Sequence, residues 1–402
     1  MLPASQTFNH KALMRMAIVM AFVQFTNALE YMMFNPVFAF MAADFAVPVS
    51  FSGYVSGIYT FGAVLSGVIA FYWIGGFNKK HLLIANMALL GLLTFLTTFA
   101  SSFSLLLALR WCAGLVGGTT MGVGISILIN NAPSNLRGKM LATVIASFSM
   151  VSIVGMPTIL FLCTSYGWHV ALWLISAFCL LALPLIGSII PRDPASYGRL
   201  SKQPLDGHTL LFASGNALVQ FSPMLVIPVL VPLMTQQLGA SPDLLPWLFF
   251  GGGVAGYLST KITGVLIPHF SALFLAMAST IIFILSLLIP VLGYQHAALF
   301  ITLFLGASYS RLVSSSALTI QFPDNRHRAG FSSLQTSIMY LISTVAFFLS
   351  AILLPGHDMA PQHINSLLAI CAISAAGFPV MVIILQKKLA KRTLEPDYPS
   401  VD

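Results

Sequence analysis

The chain has 402 residues, of which 58% are hydrophobic and 7% are charged. Soluble domains carry about 25% charged residues, so the composition excludes an ordinary soluble protein and predicts a polytopic membrane protein. The formal net charge of +8 reflects where Lys and Arg are placed between apolar runs and does not indicate nucleic-acid binding.

Apolar runs long enough to span a bilayer, about 20 residues each, predict twelve transmembrane helices. The first six fall at residues 14–42, 50–74, 81–101, 104–130, 140–163 and 168–190. Six more fall at 208–236, 242–267, 271–292, 296–321, 331–354 and 364–386. We therefore predict an all-α fold of two six-helix pseudo-repeats: an N-terminal bundle (1–190), a linker (191–206), and a C-terminal bundle with its tail (207–402).

The loops alternate in charge. Of the 18 Lys and Arg residues, 15 lie at the N-terminus, in alternate loops, in the linker and at the C-terminus, whereas the intervening loops carry only acids. Positively charged loops tend to stay on the cytoplasmic side of a membrane. Both termini and the linker are therefore predicted to be cytoplasmic.

Two short matches relate the halves of the chain. The sequence Asn-Ala-Leu at 27–29 recurs at 216–218, and the loop at 133–138 recurs loosely at 323–330. The offsets, 189 and 190 residues, are nearly equal. Parallel repeats of six spans, with a substrate site between them near the midplane, are a transporter arrangement.

The first predicted helix contains one carboxylate, Glu30, in an otherwise uncharged membrane span. An ionisable side chain in hydrocarbon costs roughly 2.5 kcal/mol or more, so such residues usually face a bundle interior or a cavity. Gln24, Asn27 and Tyr31 lie near the same side of the helix, which indicates a polar pathway. The alternative is that Glu30 only pairs with a buried arginine to fix helix packing.

Arg110, in the fourth predicted helix, lies at nearly the same depth as Glu30. Glu30 is roughly 24 Å from the cytoplasmic end of its helix, and Arg110 is roughly 9 Å from the outer end of its own, in a core about 30 Å thick. Burial disfavours an ionised carboxylate and a nearby arginine favours it, so separation of the two would promote proton uptake. We predict that Glu30 and Arg110 couple transport to protons; a permanent structural ion pair is the alternative.

A further cation, Arg311, lies about mid-span in the serine-rich tenth helix. It is predicted to meet an anionic substrate or Glu30; the alternatives are snorkelling and pairing with backbone carbonyls. Cavities for small organic molecules are mostly apolar with a few placed polar groups, although each polar group can instead be an interhelical contact. The candidates for the substrate cavity are Asn27, Tyr31, Tyr59, Asn216, Gln220, Tyr309, Arg311, Gln335 and Tyr340.

These residues resemble motifs of the major facilitator superfamily, especially its drug/proton antiporter branch and the arabinose-efflux-type permeases. Residues 24–36 look like the first-helix motif of that branch, with Glu30 where the family usually has Asp. Residues 110–114 (RWCAG) resemble the fourth-helix motif associated with proton coupling, and 155–157 (GMP) resemble part of the fifth-helix antiporter motif. In the loop at 75–80 the family's basic pair is kept, but its acid is replaced by glycine. The resemblance implies conformational roles for Lys79, Lys80, Gly155 and Pro157.

The resemblance covers essentially the whole chain and implies a secondary transporter that works by alternating access. We expect proton-coupled export of small organic molecules, drug-, sugar- or metabolite-like; import or facilitated passage of a small metabolite is the alternative. A receptor or scaffold would not need charged residues in its spans, and no nucleotide-binding, zinc-type or nucleophile motif indicates an enzyme. The expected partners are the substrate, protons and the lipid bilayer. We expect a monomer, without cofactor or metal, in a bacterial cytoplasmic (inner) membrane.

Overall fold

The computed structural model describes residues 10–73, 78–131, 134–191, 206–319, 321–322, 328–354 and 361–394. In these ranges the regular secondary structure is helical, and no strand is present. Nearly all of the predicted linker (191–206) lies outside the described residues, as do the loop glycines at 75 and 76.

Six spans precede the linker. They are formed by α1 (His10–Met41), α2 (Ser52–Trp73), α3 (Lys79–Thr97), α4 (Phe103–Asn131), α5 (Ser134–Met150) with α6 (Met156–Tyr166), and α7 (Trp168–Ile189). A π-helical turn, Val151–Gly155, joins α5 to α6. Pro157 lies in the first turn of α6, and because proline has no backbone N–H, it favours a wider turn at this point.

Six spans follow the linker. They are formed by α8 (Gly207–Val226) with α9 (Leu230–Pro232), then α10 (Leu245–Leu266), α11 (Ala272–Val291), α12 (Ala297–Thr319), α13 (Arg328–Leu353) and α14 (Pro361–Leu394). A 3₁₀ turn (Ile227–Val229) joins α8 to α9, and a π-helical turn (Leu233–Gln237) follows α9. Two sets of six spans confirm the predicted fold class.

Ten of the described helical runs are long and apolar enough to cross a membrane. The other two spans are α2 and α10, whose sequences are rich in glycine, a residue that adds little hydropathy but lets helices approach closely. The last helix is longer than predicted, since α14 continues past residue 386 to Leu394. Apart from Thr393, its final turns are built from Lys, Leu, Ala and Arg, all good helix formers.

Polar side chains fix several helix ends. The Asp206 carboxylate accepts a hydrogen bond from the backbone N–H of Thr209 at 2.9 Å and so caps α8. This hydrogen bond holds the pKa of Asp206, which lies outside the membrane spans, below its ordinary value. At the end of α7, Lys80 donates from Nζ to the carbonyls of Gly187 and Ile190, at 2.7 and 2.6 Å. A cation at a helix C-terminus also interacts favourably with the helix dipole.

The described residues form two compact units. Unit 1 holds the residues up to Phe45 and 58–191; α1 packs on α4, α5, α6 and α7 within it. Unit 2 holds residues 46–57 and those from Asp206 onward; α12 packs on α10 and α11, and α8 on α13. The core of unit 2 contains a group of phenylalanines, of which Phe212 and Phe322 stack with ring centroids 4.3 Å apart.

Glycines allow α2 and α4 to touch backbone to backbone in unit 1. A Cβ atom on Gly114 would lie 2.0 Å from the carbonyl oxygen of Tyr59, and one on Gly118 would lie 2.6 Å from the Cα of Ala63. Such distances exclude any side chain at these positions without a shift of the helices. The close crossing places Tyr59 directly against α4.

Candidate functional site

A buried ion pair joins α1 to α4 in unit 1. The guanidinium of Arg110 donates from Nη1 to Oε1 of Glu30. Both side chains are enclosed, with exposed fractions of 1% and 0%. Among the described residues this is the sole ion pair between a basic and an acidic side chain. The depth argument from the sequence therefore identified two side chains that the fold brings into contact.

Sequence reasoning missed several side chains that surround this pair. Thr94 of α3 donates from Oγ1 to the same carboxylate oxygen, at 3.3 Å. The Arg110 guanidinium carbon lies 3.7 Å from the ring centroid of Phe34 and 4.4 Å from that of Tyr59, in cation–π geometry. Phe34 is one turn beyond Glu30 on α1, so helical spacing could have identified it. No sequence pattern singles out Thr94, which comes from another helix.

The pair is incompletely satisfied. Oε2 of Glu30 and both Nε and Nη2 of Arg110 are buried without a hydrogen-bond partner among the described residues. An unpaired buried polar atom costs about 1–3 kcal/mol, and more when the group is charged. The site therefore has unused capacity to bind a proton, water or substrate.

A polar face of α1 continues from the ion pair. The rings of Tyr31 and Tyr59 stack with centroids 5.2 Å apart. Asn27 and the Tyr59 hydroxyl both reach Gly117 on α4, because a Cβ there would lie 3.1 Å from Asn27 Oδ1 and 2.1 Å from Tyr59 Oη. Oδ1 of Asn27 and both side-chain amide atoms of Gln24 are buried without a partner among the described residues. The structure thus brings three of the predicted cavity residues, Asn27, Tyr31 and Tyr59, next to the ion pair.

We expect Gly117→Ala to weaken substrate binding while the protein remains folded. The added methyl group meets the Tyr59 hydroxyl, which is the far end of a side chain, rather than backbone. Overpacking costs about 1–3 kcal/mol, or roughly a 5- to 150-fold loss of affinity if the cost falls on the bound state. The measurement is substrate affinity of the purified protein, with thermal unfolding as the check on folding.

Gly122→Ala is the matched control. Gly122 lies on the same helix as Gly117, and a Cβ at Gly122 would have no neighbour within 4 Å among the described residues. It should bind substrate like the unsubstituted protein. Equal affinity of the Gly117 and Gly122 variants would remove Tyr59 and Asn27 from the binding site.

In unit 2 a second polar cluster links α8, α12 and α13. Asn216 donates from Nδ2 to the Ser316 hydroxyl at 2.9 Å, and Gln335 donates from Nε2 to the Thr319 hydroxyl at 3.2 Å. A Cβ on Gly215 would lie 2.7 Å from Thr319, so the two hydrogen bonds lie in one region. Asn216 faces the fourth span of its half, as Asn27 does in unit 1. The repeat seen in the sequence therefore recurs in the packing.

Arg311 lies apart from this cluster. It is fully buried, donates from Nη2 to the carbonyl of Ala375 on α14 at 3.3 Å, and lies 4.6 Å from the Phe283 ring and 5.4 Å from the Phe378 ring. Its Nε and Nη1 have no partner, and no carboxylate pairs with it, among the described residues. The sequence analysis gave pairing with backbone carbonyls as one alternative for Arg311. The structure shows such a pairing, with a carbonyl in the middle of α14.

The remaining cavity candidates of unit 2 are dispersed. Tyr309 packs against α10, where a Cβ on Gly256 would lie 2.5 Å from its ring. Oε1 of Gln220 on α8 is buried without a partner among the described residues. Tyr340 lies half-buried on α13 and accepts from Thr344 through its backbone carbonyl.

The motif residues implied by the resemblance lie at helix contacts. Lys79 begins α3, and Lys80 caps α7 as described above. Gly155 lets α1 approach, because a Cβ there would lie 2.8 Å from Leu29. With Pro157 in the next turn, this glycine places the π-helical turn directly against α1.

Two sets of six spans, with charged groups buried inside each set, define the class of polytopic membrane transporters. The Major Facilitator Superfamily profile matches residues 20–213. The purine ribonucleoside efflux pump NepI of Escherichia coli O6:H1 (strain CFT073) is 23% identical over 316 residues, which cover 76% of this chain and 78% of NepI.

Solved structures share the fold along the chain. A mutant of the nucleoside transporter NupG has a TM-score of 0.71 at 11% identity and covers 93% of this chain and 99% of NupG. A D-xylose–proton symporter has a TM-score of 0.71 at 14% identity and covers 91% of this chain and 97% of the symporter. The profile match, the relatives and the shared fold together support a transporter of the major facilitator superfamily, a multi-pass membrane protein. Its branch within the superfamily remains a prediction.

Proposed function

We propose that the protein is a proton-coupled secondary transporter that exports small organic molecules by alternating access. The observation that carries this proposal is the enclosed pair of Glu30 and Arg110, in which three buried polar atoms have no hydrogen-bond partner among the described residues. Charged groups inside a bundle are costly and mark ion or substrate pathways in transporters. A pair retained only for packing would be expected to have its remaining polar atoms satisfied.

The coupling mechanism follows from the opposing influences on the Glu30 carboxylate. Burial disfavours its ionised form, whereas Arg110 and the Thr94 hydroxyl favour it. In a conformation in which Arg110 moves away, Glu30 takes up a proton. Coupling then requires only that substrate and proton favour different conformations, which is a difference in affinity between states.

The substrate class we propose is a small polar organic molecule of nucleoside or sugar size. The amide groups of α1, together with Tyr31 of α1 stacked on Tyr59 of α2, suit a ring that carries hydrogen-bonding groups. The names of the similar proteins, a purine ribonucleoside efflux pump and a nucleoside transporter, support this class. In unit 2 we propose a further set of substrate-binding residues, namely Asn216, Gln220, Tyr309, Arg311, Gln335 and Tyr340.

Export is proposed from the likeness to an efflux pump and from the antiporter motifs. Import remains the second candidate, because one fold neighbour is a proton symporter for a sugar. We further propose that residues 1–190 and 207–402 are the two moving bundles, that both termini and the linker are cytoplasmic in the bacterial inner membrane, and that the protein acts as a monomer.

The deciding experiment uses the purified protein in proteoliposomes with labelled nucleosides, pentoses and cationic drugs. An antiporter accumulates substrate inside vesicles that are acidic within, because protons leave as substrate enters. A symporter accumulates it inside vesicles that are alkaline within. We expect accumulation in the acidic vesicles; equilibration without any effect of the gradient would contradict proton coupling and indicate a facilitator.

A further inference from the structure

The hydroxyl of Thr94 lies between two oxygens, each of which can accept its single hydrogen. Its Oγ1 is 3.3 Å from Oε1 of Glu30 and 2.8 Å from the carbonyl oxygen of Leu90, one turn earlier on α3. The side chain is buried, with 1% of its surface exposed. A hydroxyl carries one hydrogen and two lone pairs. Thr94 can therefore donate to one of the two oxygens while it keeps a lone pair for the other.

These two arrangements suit the two protonation states of Glu30. When the carboxylate is ionised, the Thr94 hydroxyl donates to Oε1. When Glu30 is protonated, the hydroxyl donates to the Leu90 carbonyl and accepts the carboxyl hydrogen on a lone pair. Only the hydroxyl hydrogen changes direction between the two. Leu90 lies within α3, where its carbonyl also accepts from a helical backbone N–H, so that oxygen is satisfied in either case.

Thr94 is the one side chain bonded to Glu30 among the described residues that can accept a hydrogen. Arg110 is the other group bonded to Oε1, and a guanidinium only donates. Oε2 of Glu30 has no partner among the described residues, so a hydrogen on that oxygen would have no acceptor there. A proton on Oε1, directed at Thr94, is therefore the arrangement that leaves the buried acid hydrogen-bonded.

The packing of α3 on α7 fixes the direction of the Thr94 side chain. Gly91 lies three residues before Thr94, on the same side of the helix. A Cβ on Gly91 would lie 2.7 Å from the Cβ of Cys179 on α7, so the two helices touch at this point. The Cys179 thiol is close enough to Glu30 to interact with its charge. The contact with α7 therefore holds α3 in the rotation that directs Thr94 at the carboxylate.

The ionisable groups around Glu30 come from three other helices. Arg110 of α4 and Cys179 of α7 interact with its charge, and the phenols of Tyr31 and Tyr59, on α1 and α2, stack beside the pair. Among the described residues, α3, α5 and α6 place no charged side chain on the carboxylate. Thiols and phenols ordinarily ionise only in alkaline solution. A change of the site between acidic and neutral pH therefore belongs to Glu30.

From this geometry we propose that Thr94 is a positioning residue that stabilises both protonation states of Glu30, as a donor to the carboxylate and as an acceptor from the carboxyl group. This inference rests on the proposed proton coupling and goes beyond it, since it names the group that holds the protonated acid once Arg110 has moved away. The proton on Glu30 comes from water and returns to water. Thr94 neither gains nor loses a proton.

Thr94→Val tests the proposal, because valine keeps the branched shape and removes the hydroxyl. The protonated carboxyl then lacks its acceptor, whereas the ionised carboxylate keeps Arg110, so protonation should require a medium more acidic by about one pH unit. The first measurement is the pH profile of gradient-driven substrate accumulation in proteoliposomes. The second is an infrared pH titration of the purified protein, in which the carbonyl stretch of a protonated carboxyl is assigned to Glu30 by its loss in Glu30→Gln.

We expect both profiles of Thr94→Val to move to lower pH while counterflow exchange continues at neutral pH. Thr94→Ser keeps a hydroxyl and should restore both profiles. Thr97→Val is the matched control: Thr97 is buried on the same helix and donates to the Leu93 carbonyl at 2.8 Å, and no carboxylate bonds to it among the described residues. This control should leave both profiles unchanged.

An unchanged infrared titration in Thr94→Val, or an equal shift in Thr97→Val, would overturn the role of Thr94. So would a Thr94→Ser protein that titrates like Thr94→Val, or the absence of a Glu30 carboxyl band at every pH at which the protein stays folded. Failure of the unsubstituted protein to accumulate substrate in a pH gradient would instead contradict the proposed function. The infrared titration would still test Thr94 in that case, because it does not depend on transport.

Discussion

Glu30→Gln is expected to abolish accumulation of substrate driven by a pH gradient while leaving exchange of substrate across the membrane active. Gln is nearly isosteric with Glu and can still accept hydrogen bonds from Arg110 and Thr94, but it cannot gain or lose a proton. A gradient of one pH unit supplies about 1.4 kcal/mol per proton, enough for about tenfold accumulation at one proton per substrate. Without a titrating group this ratio should fall to about one.

The measurement compares proteoliposomes with and without an imposed gradient, and counterflow exchange in the same preparations. Asp243→Asn is the control, since it removes an acid in the exposed turn before α10; it should preserve the tenfold ratio. If Glu30→Gln still accumulated substrate, Glu30 would be a structural partner of Arg110 and the proton would bind elsewhere.

The sequence was sufficient for the spans because period, length and apolarity are local properties. Glu30 and Arg110 could be paired because helix rise converts residue number into depth, and because a buried charge needs a partner. The surroundings of the pair were not predictable in the same way. Thr94 comes from α3 by tertiary packing, and its orientation toward the carboxylate depends on how α3 rotates about its axis.

Arg311 shows more clearly what could not be predicted from the sequence. Its depth and its lack of an acid were visible in the sequence, but its partners were not. Depth gives a position along the membrane normal and leaves the direction of the side chain undetermined. In the structure the side chain turns toward α11 and α14, where two phenylalanine rings and one carbonyl receive it. The direction of the Arg311 side chain could not be predicted because it depends on how α12 is rotated about its own axis, which depends on packing throughout unit 2.

Substitution by methionine should affect the unfolding temperature differently at the two buried arginines. Arg110→Met leaves the Glu30 carboxylate enclosed without its cation, and breaking a buried pair from one side costs about 3–5 kcal/mol. Arg311→Met removes a buried cation that has no acidic partner among the described residues, and it keeps an unbranched side chain between Phe283 and Phe378. We therefore expect Arg110→Met to lower the unfolding temperature in detergent strongly, and Arg311→Met to leave it unchanged or raise it.

The double variant Glu30→Gln with Arg110→Met separates the charge interaction of the pair from the effect of the space that methionine, which is smaller than arginine, leaves behind. Gln is neutral, so loss of the arginine no longer strands a charge, and most of the lost stability should return. A thermal-unfolding cycle of the two single variants and the double variant measures this coupling. Additive losses would mean that the two side chains contribute through packing alone. A strong coupling together with a stable Arg311→Met protein would identify the Glu30–Arg110 contact as the charge interaction on which unit 1 depends.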